Sequence, residues 1–599
     1  MKNKYSKGFS ILEVILAAAI FMLFATGAAG VIVRGFSTNR LGVEETIATQ
    51  FASEGIEAVR SIKNQSYASL VNSTGTGVDR ISNVWAFGGA NDTLAHNASD
   101  NYTRIIKVED VQRDALPPCG NIVSSGGTLD PDTKKITSTV TWNFAANRNQ
   151  EIELTTYLSD WKEQITPQPH GGILIYGDGD TTSDAVKYRI LDGTSGTWGG
   201  VAALPDFDTS TTNKALRAVR IDASPLRNEK IVISRHVAGS NQQSIWAHVF
   251  NGASWTSTQF SSWTSNSNLD VRNFDGAYLN NGTYIAVYSD NTSTAKYRIW
   301  DGCDWSTQSS LVDLANNGSG TPLYIVTKNR PGTNEVMAAF FGTGRDTNTQ
   351  YYDGSNWILH SRHSAVGPGQ REMIDFAWSP NDTTKGALVF PDTGSDRQVN
   401  VRVFTADGSG SGDWTTTDVE APLQSTLVAM DIDSRSGASE FIACSKDSAE
   451  DIRCFRSDTT PSWTTPSNND ITNNTDSGRQ RSFNFNFEST SGSEGIAVYS
   501  TSNSIPKLRI YNSGTNGFGS ETNLTSVSTA LESVRLRAFR DNDDIMILLG
   551  NTSQDLYTVV WNGTTNTVYT NPSGKAFTLH GISGSHDLDF WYDFAWDRH

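Results

Sequence analysis

A long apolar run from Phe9 to Val33 contains a single acidic residue, Glu13. An ionised carboxylate inside a lipid bilayer is costly unless a partner neutralises its charge. The run itself offers no cation, because every other residue in it is uncharged. Glu13 therefore predicts an ion pair between its buried carboxylate and a positively charged group outside this run.

Four more carboxylates recur at the same point of short apolar segments further along the chain. They are Asp275, Asp375, Asp431 and Asp593. If these segments repeat around an axis, the carboxylates could form an acidic ring, and such oxygen ligands suit a calcium ion. The alternative, which we favour, is that backbone amides of neighbouring repeats satisfy these carboxylates.

The cysteines offer a third kind of chemistry. The chain has four of them, Cys119, Cys303, Cys444 and Cys454, and none forms a C-x-x-C pair or has zinc-ligand spacing. Cys444 and Cys454 could face each other across a hairpin, and an oxidising exterior would permit a disulfide between them.

The apolar run is long enough to be a membrane span. Its 25 residues would form a helix of about 37 Å, against a hydrocarbon core of about 30 Å. Three lysines precede the run, so the N-terminus is expected to stay cytoplasmic and the rest of the chain to be exported. The small residue Gly8 precedes the run instead of following it, so we expect no ordinary signal-peptide cleavage and a retained anchor.

The segment Lys7-Gly8-Phe9-Ser10-Ile11-Leu12-Glu13-Val14 resembles the class III signal of type IV prepilins and type II secretion pseudopilins. The resemblance implies that a prepilin peptidase cleaves between Gly8 and Phe9 and methylates the amine of Phe9. It also implies that Glu13 meets the N-terminal amine of a neighbouring pilin or pseudopilin subunit during filament assembly. The alternative is an ordinary signal anchor with an accidental glutamate.

Helical periodicity continues beyond the membrane run, from Leu41 to about Tyr67. The apolar stripe consists of Ala48, Ala52, Gly55, Val59 and Ile62, flanked by Ile47, Phe51 and Ala58. Two strand-like segments follow, at 101–112 and 134–161. We predict one long helix whose second half carries a small sheet, as in minor pilins and pseudopilins.

A repeat with a period near 50 residues fills the rest of the chain, which is typical of a β-propeller. Units such as "KYRILDGTSGTW" and "KYRIWDGCDW" end in an aromatic residue at 198, 255, 305, 357, 414, 463 and 518. Each unit has room for four strands, as a blade needs. The C-terminal segment 592–596 would complete the first unit, which lacks its innermost strand. We predict eight blades; seven would follow if region 507–568 is miscounted.

The predicted organisation is mainly β, with a long N-terminal helix. It comprises a leader (1–8), a transmembrane and assembly helix (9–33), a pilin-like α+β domain (34–161), a linker (162–171) and a propeller (172–599).

Asp-Gly and Asn-Gly pairs at 192–193, 251–252, 301–302, 353–354 and 562–563 predict tight hairpins with positive φ at both turn positions. The pattern Asp-Gly-x-x-Trp resembles the Asp-box of sialidase-type propellers but lacks the residue between Asp and Gly. Catalysis in those enzymes uses arginines that converge on a substrate carboxylate. The repeated arginines here are predicted on the third strand of each blade, away from the axis, so glycosidase activity is not expected. They are Arg189, Arg298, Arg402, Arg453 and Arg509.

A formal net charge of −17 makes nucleic acid an unsuitable partner for the whole chain. The sequence predicts a non-enzymatic minor pilin or pseudopilin. It would reside in the inner membrane with its C-terminus outside, then in an extracellular pilus or pseudopilus. Its propeller would bind a surface, glycan or protein. The alternatives are a membrane-anchored, sialidase-like propeller enzyme and a cargo-recognition module of a type II-like secretion system.

Overall fold

The computed structural model divides into two compact units, residues 1–164 and 165–599. The residues that the structure describes are 10–81, 84–96, 101–114, 119–145, 148–160, 171–177, 186–205, 215–238, 241–252, 254–265, 271–313, 320–363, 372–391, 397–407, 412–416, 419–460, 462–476, 481–490, 492–568, 578–580 and 590–597. Gly8, Phe9 and the predicted linker up to residue 170 therefore lie outside them.

One uninterrupted helix, α1 (Ile11–Gln65), spans 55 residues, as the sequence predicts. Large apolar side chains of its first half, from Ile11 to Phe36, are exposed. The second half buries Glu44, Ile47, Ala48, Ala52, Gly55, Ile56, Ala58, Val59 and Ile62. This set contains the whole predicted stripe, whereas the flanking Phe51 is only half-buried. A short 3-10 turn (Tyr67–Ser69) follows the helix.

The buried half of α1 packs on a seven-stranded sheet. Its strands are β1 (Ser73–Ile81), β2 (Val84–Gly88), β3 (Asp92–Ala95), β4 (Asn101–Arg113), β5 (Ile122–Val123), β6 (Thr128–Ala145) and β7 (Arg148–Ser159). The main order is β2-β1-β4-β6-β7, and β3 and β5 also pair with β4. The sequence predicted only the segments of β4, β6 and β7. The polar segments of β1 and β3 have weak strand propensity and pair with β4, and the short β2 pairs only with β1.

Eight antiparallel sheets form the second unit, which confirms the mainly β fold and the eight-bladed propeller. In chain order the strands are β8 (Gly172–Gly177), β9 (Val186–Leu191), β10 (Ala202–Ala203), β11 (Ala215–Ala223), β12 (Lys230–Ala238), β13 (Gln242–Phe250), β14 (Trp255–Thr264), β15 (Phe274–Tyr278), β16 (Tyr284–Tyr288), β17 (Thr294–Trp300), β18 (Ser309–Asp313), β19 (Pro322–Asn329), β20 (Val336–Gly342), β21 (Thr347–Tyr352), β22 (Trp357–His363), β23 (Asp375–Trp378), β24 (Lys385–Pro391), β25 (Gln398–Ala406), β26 (Gly412–Trp414), β27 (Val419–Pro422), β28 (Leu427–Ser434), β29 (Glu440–Asp447), β30 (Ile452–Asp458), β31 (Asp470–Thr472), β32 (Phe483–Phe487), β33 (Glu494–Tyr499), β34 (Lys507–Asn512), β35 (Gly517–Phe518), β36 (Thr522–Asn523), β37 (Leu531–Ala538), β38 (Asp544–Asn551), β39 (Leu556–Asn562), β40 (Thr567–Val568), β41 (Thr578–Leu579) and β42 (Tyr592–Trp596).

We number the blades along the chain and give their strands from the inside outwards. Blade 1 contains β42, β8, β9 and β10; blades 2, 3 and 4 contain β11–β14, β15–β18 and β19–β22. Blades 5 to 8 begin with β23, β28, β32 and β37, and β27, β36 and β41 add short pairings to the third strands of blades 5, 7 and 8. Second strands such as β16 and β20 are buried along their whole length, because neighbouring blades cover both of their faces.

The propeller closes through its C-terminal strand. Strand β42 pairs with β8, with Asp593 opposite Ile175 and Trp596 opposite Gly172. The predicted completion of the first blade by segment 592–596 is thereby confirmed. Pairing of the last strand with the first removes the two sheet edges that an open ring would expose.

The turns between third and fourth strands differ from the predicted hairpins. Among the Asp-Gly and Asn-Gly pairs, positive φ occurs at Gly252, Gly302 and Gly354, but not at the residue before each of them. The acidic or amide side chain instead accepts backbone hydrogen bonds: Asp301 Oδ1 accepts from the amides of Cys303 and Asp304, at 2.8 and 2.9 Å. These are Asx turns, in which the side chain substitutes for a second positive-φ position.

Candidate functional site

The first turn of α1 contains the carboxylate that the sequence singled out. Ser10 is the N-cap residue, and its Oγ accepts a hydrogen bond from the amide of Leu12 at 3.3 Å. Glu13 Oε2 accepts a hydrogen bond from the amide of Ser10 at 3.0 Å, which completes a capping box. Within this chain, Glu13 thus has a local partner at the helix end; the predicted cleavage site, Gly8 and Phe9, lies outside the described residues.

The first half of α1 is long and apolar enough to cross a membrane. Its mean hydropathy over 18 residues is 2.3, and none of that window is buried inside the protein. A signal sequence near the N-terminus would meet the same criteria of length and composition. The apolar surface is therefore available to lipid or to other apolar helices.

Buried polar contacts hold the second half of α1 on its sheet. Arg104, 1% exposed, extends from β4 to the carbonyl of Phe51 (2.8 Å) and to the Asp92 carboxylate (2.6 Å). Glu44 accepts a hydrogen bond from the Trp142 indole at 2.9 Å. These contacts fix the helix on its sheet and satisfy the charges that this packing buries.

The four predicted aspartates line the central channel of the propeller, each on an innermost strand. Three accept a hydrogen bond from the backbone amide of the next blade: Asp593 from Ile221 (3.3 Å), Asp275 from Thr327 (2.8 Å) and Asp375 from Ile432 (3.3 Å). The fourth, Asp431 of blade 6, likewise accepts from the backbone amide of Phe485 in blade 7, at 2.9 Å. Neighbouring-blade amides thus satisfy these carboxylates, which is the alternative that we favoured from the sequence.

Asn484 of blade 7 is a fifth member of this set that the sequence reasoning missed. Its amide oxygen accepts from the amide of Leu536 in blade 8 at 2.8 Å. The signal was present, because "FNFNF" aligns with "YDFAW" once the innermost strands are superposed. Blades 1, 3, 5, 6 and 7 are therefore joined to the next blade by one recurring side-chain to backbone hydrogen bond.

Basic side chains contact several of these aspartates around the channel, and the sequence reasoning missed them as well. Arg537 contacts Asp593 at 2.6 Å, and Arg220 contacts Asp275 at 2.8 Å. Arg481 pairs with Asp431. Arg220 of blade 2 and Arg535 of blade 8 occupy positions equivalent to the aspartates, in "VRI" and "VRL", so alignment of the innermost strands could have found them.

Burial and neighbouring charge set the protonation of these carboxyls. Burial disfavours the ionised form of Asp593, but Arg537 and Arg220 outweigh it and hold its pKa below the usual range. For Asp375, burial outweighs Lys328, which lies 3.9 Å away, and raises the pKa to about 6. The axial carboxyls are therefore not equivalent, because the arginines favour the ionised form of Asp593 whereas burial favours the protonated form of Asp375.

All four aspartates have protein partners, and a calcium site among them stays a prediction. Amides and guanidinium groups bind their oxygen atoms, and the side chains of Asp375 and Asp431, in adjacent blades, also hydrogen-bond to each other. No group of three or more His, Cys, Asp or Glu side chains that could hold a metal ion occurs in the described part of the chain.

The repeated arginines lie on third strands, as expected, and contact the preceding blade or their own neighbours. Arg298 lies over the ring of Phe260 at 5.3 Å, and Arg402 contacts His363 Nδ1 at 3.1 Å. Arg509 donates to the Tyr499 hydroxyl at 3.2 Å. These contacts assign the arginines to packing between and within blades.

The cysteine pair lies in blade 6. Cys444 and Cys454 face each other in the register of β29 and β30 and are joined by a disulfide bond. The bond closes a loop of ten residues between neighbouring strands, so it constrains one hairpin locally.

Ser234 has a serine–histidine arrangement that invites a catalytic interpretation. Its Oγ lies 2.9 Å from Nε2 of both His236 and His248. All three residues are at most 1% exposed, so a substrate has no access to the hydroxyl. Burial also lowers the pKa of His248 to about 3, which leaves this imidazole neutral at physiological pH. The cluster is a buried polar network between strands β12 and β13.

No family model matches the chain, and no curated protein matches it. Among solved structures, the lectin BP39L from Burkholderia pseudomallei has 11% identity and a TM-score of 0.44, covering 62% of this chain and 100% of its own. The SapL1 lectin, in complex with alpha methyl fucoside, has 12% identity and a TM-score of 0.33, covering 53% and 99%. The periplasmic gluconolactonase PpgL of Pseudomonas aeruginosa has 12% identity and a TM-score of 0.36, covering 69% and 99%. Likenesses this weak carry no argument about ligand or activity.

Proposed function

We propose that this chain is a minor pilin or minor pseudopilin-like subunit of a type IV pilus or related filament, with a non-enzymatic propeller displayed outside the cell for adhesion or binding. The observation that carries the proposal is the division of α1. Its first half is apolar on all sides and unburied, whereas its second half belongs to a folded α+β unit. Such a helix needs lipid before assembly and the apolar helices of other subunits after it.

The position of Glu13 favours a role in filament assembly over a role as a simple membrane anchor. In a simple anchor Glu13 can only cap the helix, whereas in a filament its charge can also pair with the amine of Phe9 in the next subunit. Prepilin peptidase would create that amine by cleavage after Gly8. A minor position follows from size, because a head of residues 165–599 would obstruct lateral packing along a shaft.

A binding role is preferred to catalysis because the polar clusters of the described propeller are structural. The third-strand arginines are used in packing, the axial aspartates join blades, and Ser234 is inaccessible. A rigid ring with many loops suits the display of binding surfaces.

The test is mass spectrometry of the N-terminal peptide from filaments sheared off cells, compared with the same peptide from the membrane fraction. We expect a methylated N-terminal Phe9 in the sheared fraction. Processed protein confined to membranes would favour a secretion pseudopilin, with cargo recognition as the task of the propeller. An intact leader through Gly8 in both fractions would overturn the proposal.

A further inference from the structure

A cavity of about 160 Å³ lies at the carboxyl ends of three neighbouring innermost strands, β37, β42 and β11, which belong to blades 8, 1 and 2. The small side chains of Ala223, Ala538 and Ala595 leave its space open, and Trp596 forms part of its wall. The sequence reasoning singled out none of its polar lining residues. They are Arg220, Asp222, Arg537 and Arg540.

The cavity opens to solvent at the carboxyl ends of these strands. Arg540 is exposed there, and the side chains of Asp222 and Arg537 are 24% and 25% exposed. Toward the opposite ends the channel is filled. Phe590, just before β42, is 1% exposed, and its ring centroid lies 6.4 Å from that of Tyr324 in blade 4. A ligand can therefore enter from the carboxyl ends.

The buried charges around the cavity already have partners within the propeller. Arg537 lies 2.6 Å from Asp593. Arg220 lies 2.8 Å from Asp275, which also contacts Arg272 at 3.1 Å. None of these groups needs a ligand as its counter-ion, and an ionic ligand would have to compete with ion pairs that are already formed.

Hydrogen-bonding capacity, by contrast, is left over in the cavity. Asp222 Oδ2 accepts from the Tyr284 hydroxyl at 3.0 Å, but Asp222 Oδ1 lies 3.7 Å from Arg220 Nη2, beyond hydrogen-bonding distance. The guanidinium group of Arg540 has no hydrogen bond or ion pair among the described residues. The cavity thus presents a free acceptor oxygen next to free N–H donors.

We propose that the cavity binds one neutral hexose unit through its hydroxyl groups. A hydroxyl both donates and accepts, so neighbouring hydroxyls can bond to Asp222 and to Arg540 without changing the ion pairs behind them. The C–H groups of a sugar ring suit the apolar wall of Ala538, Ala595 and Trp596. The volume corresponds to about five water molecules, which is room for a single sugar ring and well below the roughly 300–1,000 Å³ of drug-sized sites.

This inference deepens the proposed function, because it rests on a binding role of the displayed head and names its ligand class, but it is tested separately. The full-length chain, in a detergent without a sugar headgroup, is titrated with D-glucose, D-galactose and D-mannose by isothermal calorimetry. The uronic acid and the 2-amino-2-deoxy derivative of each hexose are the comparison ligands. We expect saturable binding of at least one hexose at one site per chain. Its anionic and cationic derivatives should bind about tenfold more weakly or less, because each adds a charge without a partner.

Arg540→Ala is the informative variant, because Arg540 lines the cavity but joins no blade to another. Loss of its donors should weaken hexose binding about tenfold or more. Arg345→Ala is the matched control: Arg345 is exposed between β20 and β21 of blade 4, outside the cavity, and its loss should leave binding unchanged. Both variants should retain the unfolding midpoint of the parent chain.

Failure of all three hexoses to bind, equally tight binding of the charged derivatives, or unaltered binding by Arg540→Ala would overturn the hexose site. Hexose binding by a chain that never enters filaments would leave the site standing and overturn the filament proposal. A filament subunit that binds none of the sugars would do the reverse.

Discussion

Glu13 has two roles available to it, and they depend on different properties of the side chain. Its carboxylate accepts a hydrogen bond from the amide of Ser10 at 3.0 Å and so caps α1. Glutamine can fill this position of a capping box as well as glutamate. Only the charged residue, however, can neutralise the amine of a neighbouring subunit.

We predict that Glu13→Gln keeps the helix cap but lowers incorporation into filaments about tenfold or more, because a buried charge pair loses one partner. The measurement is the ratio of protein in sheared filaments to protein in membranes, by quantitative immunoblot. Glu45→Gln, at an exposed position of the same helix, is the control. Normal incorporation of Glu13→Gln would mean that capping is the whole role of Glu13.

At the scale of elements, the approach of α1 to its sheet depends on Gly55. A Cβ atom built there would lie 2.6 Å from Ser138 Oγ and 2.9 Å from Cδ of Arg104. Both neighbours are buried, and Arg104 also holds the carbonyl of Phe51. Gly42, on the same helix, would meet nothing within 4 Å.

We therefore predict opposite effects for two identical substitutions. Gly55→Ala should destabilise the helix–sheet unit by about 1–3 kcal/mol, because it overpacks a closed site. Gly42→Ala should stabilise it by up to about 1 kcal/mol through helix propensity. Urea unfolding of the two variants in detergent, followed by circular dichroism, checks both signs; similar changes in the midpoint would contradict the packing argument.

Buried histidines make the blades sensitive to acid. Burial, together with nearby positive charge, lowers the pKa of His248, His363 and His580 to about 3. The ring of His363 lies edge-on to that of Trp414, with the ring centroids 4.6 Å apart. The ring of His580 lies edge-on to that of Trp198, with the centroids 4.9 Å apart. The unfolded chain binds protons at these residues near pH 6.5, so between about pH 6.5 and 3 it binds more protons than the folded chain.

We predict that each of these histidines removes up to about 1.4 kcal/mol of stability per pH unit as the pH falls through that window. His363→Gln should flatten the dependence of the free energy of unfolding on pH between 6.5 and 4, relative to the parent chain. The measurement is urea unfolding at several pH values. An unchanged slope would show that His363 is protonated in the folded state.

For the whole molecule, closure depends on the last strand. Strand β42 supplies the innermost position of blade 1, and Trp591, Tyr592, Phe594 and Trp596 belong to one buried cluster with residues of blades 1 and 8. Asp593 adds the bond to Ile221 of blade 2 and the ion pair with Arg537 of blade 8. A single short segment therefore joins three blades.

We predict that deletion of residues 590–599 opens the propeller and exposes the edge of β8, which favours aggregation. Limited proteolysis and size-exclusion chromatography of the full-length and shortened chains measure this. Deletion of residues 598–599 alone is the control and should have no effect. A shortened chain that stays monomeric and protease-resistant would show that blade 1 holds without its innermost strand.

The sequence by itself determined the features that depend on residues close together in the chain. Helical periodicity predicted the buried stripe of α1 through Gly55 and Ile62, and the recurring aromatic ends predicted the blades. The segment 592–596 predicted the closure of the ring, because it resembles an innermost strand and the first unit is the one that lacks such a strand.

Only the tertiary structure decided which groups meet at the axis. Asp275 meets the amide of Thr327 across 52 residues of sequence, and Asp593 meets Ile221 across 372. Contacts between blades depend on the angle and stagger of whole sheets, which no local pattern encodes. For that reason the sequence pointed to the recurring aspartates but not to their partners. The arginines that contact them, such as Arg220 and Arg537, were found only when eight innermost strands were placed around one channel.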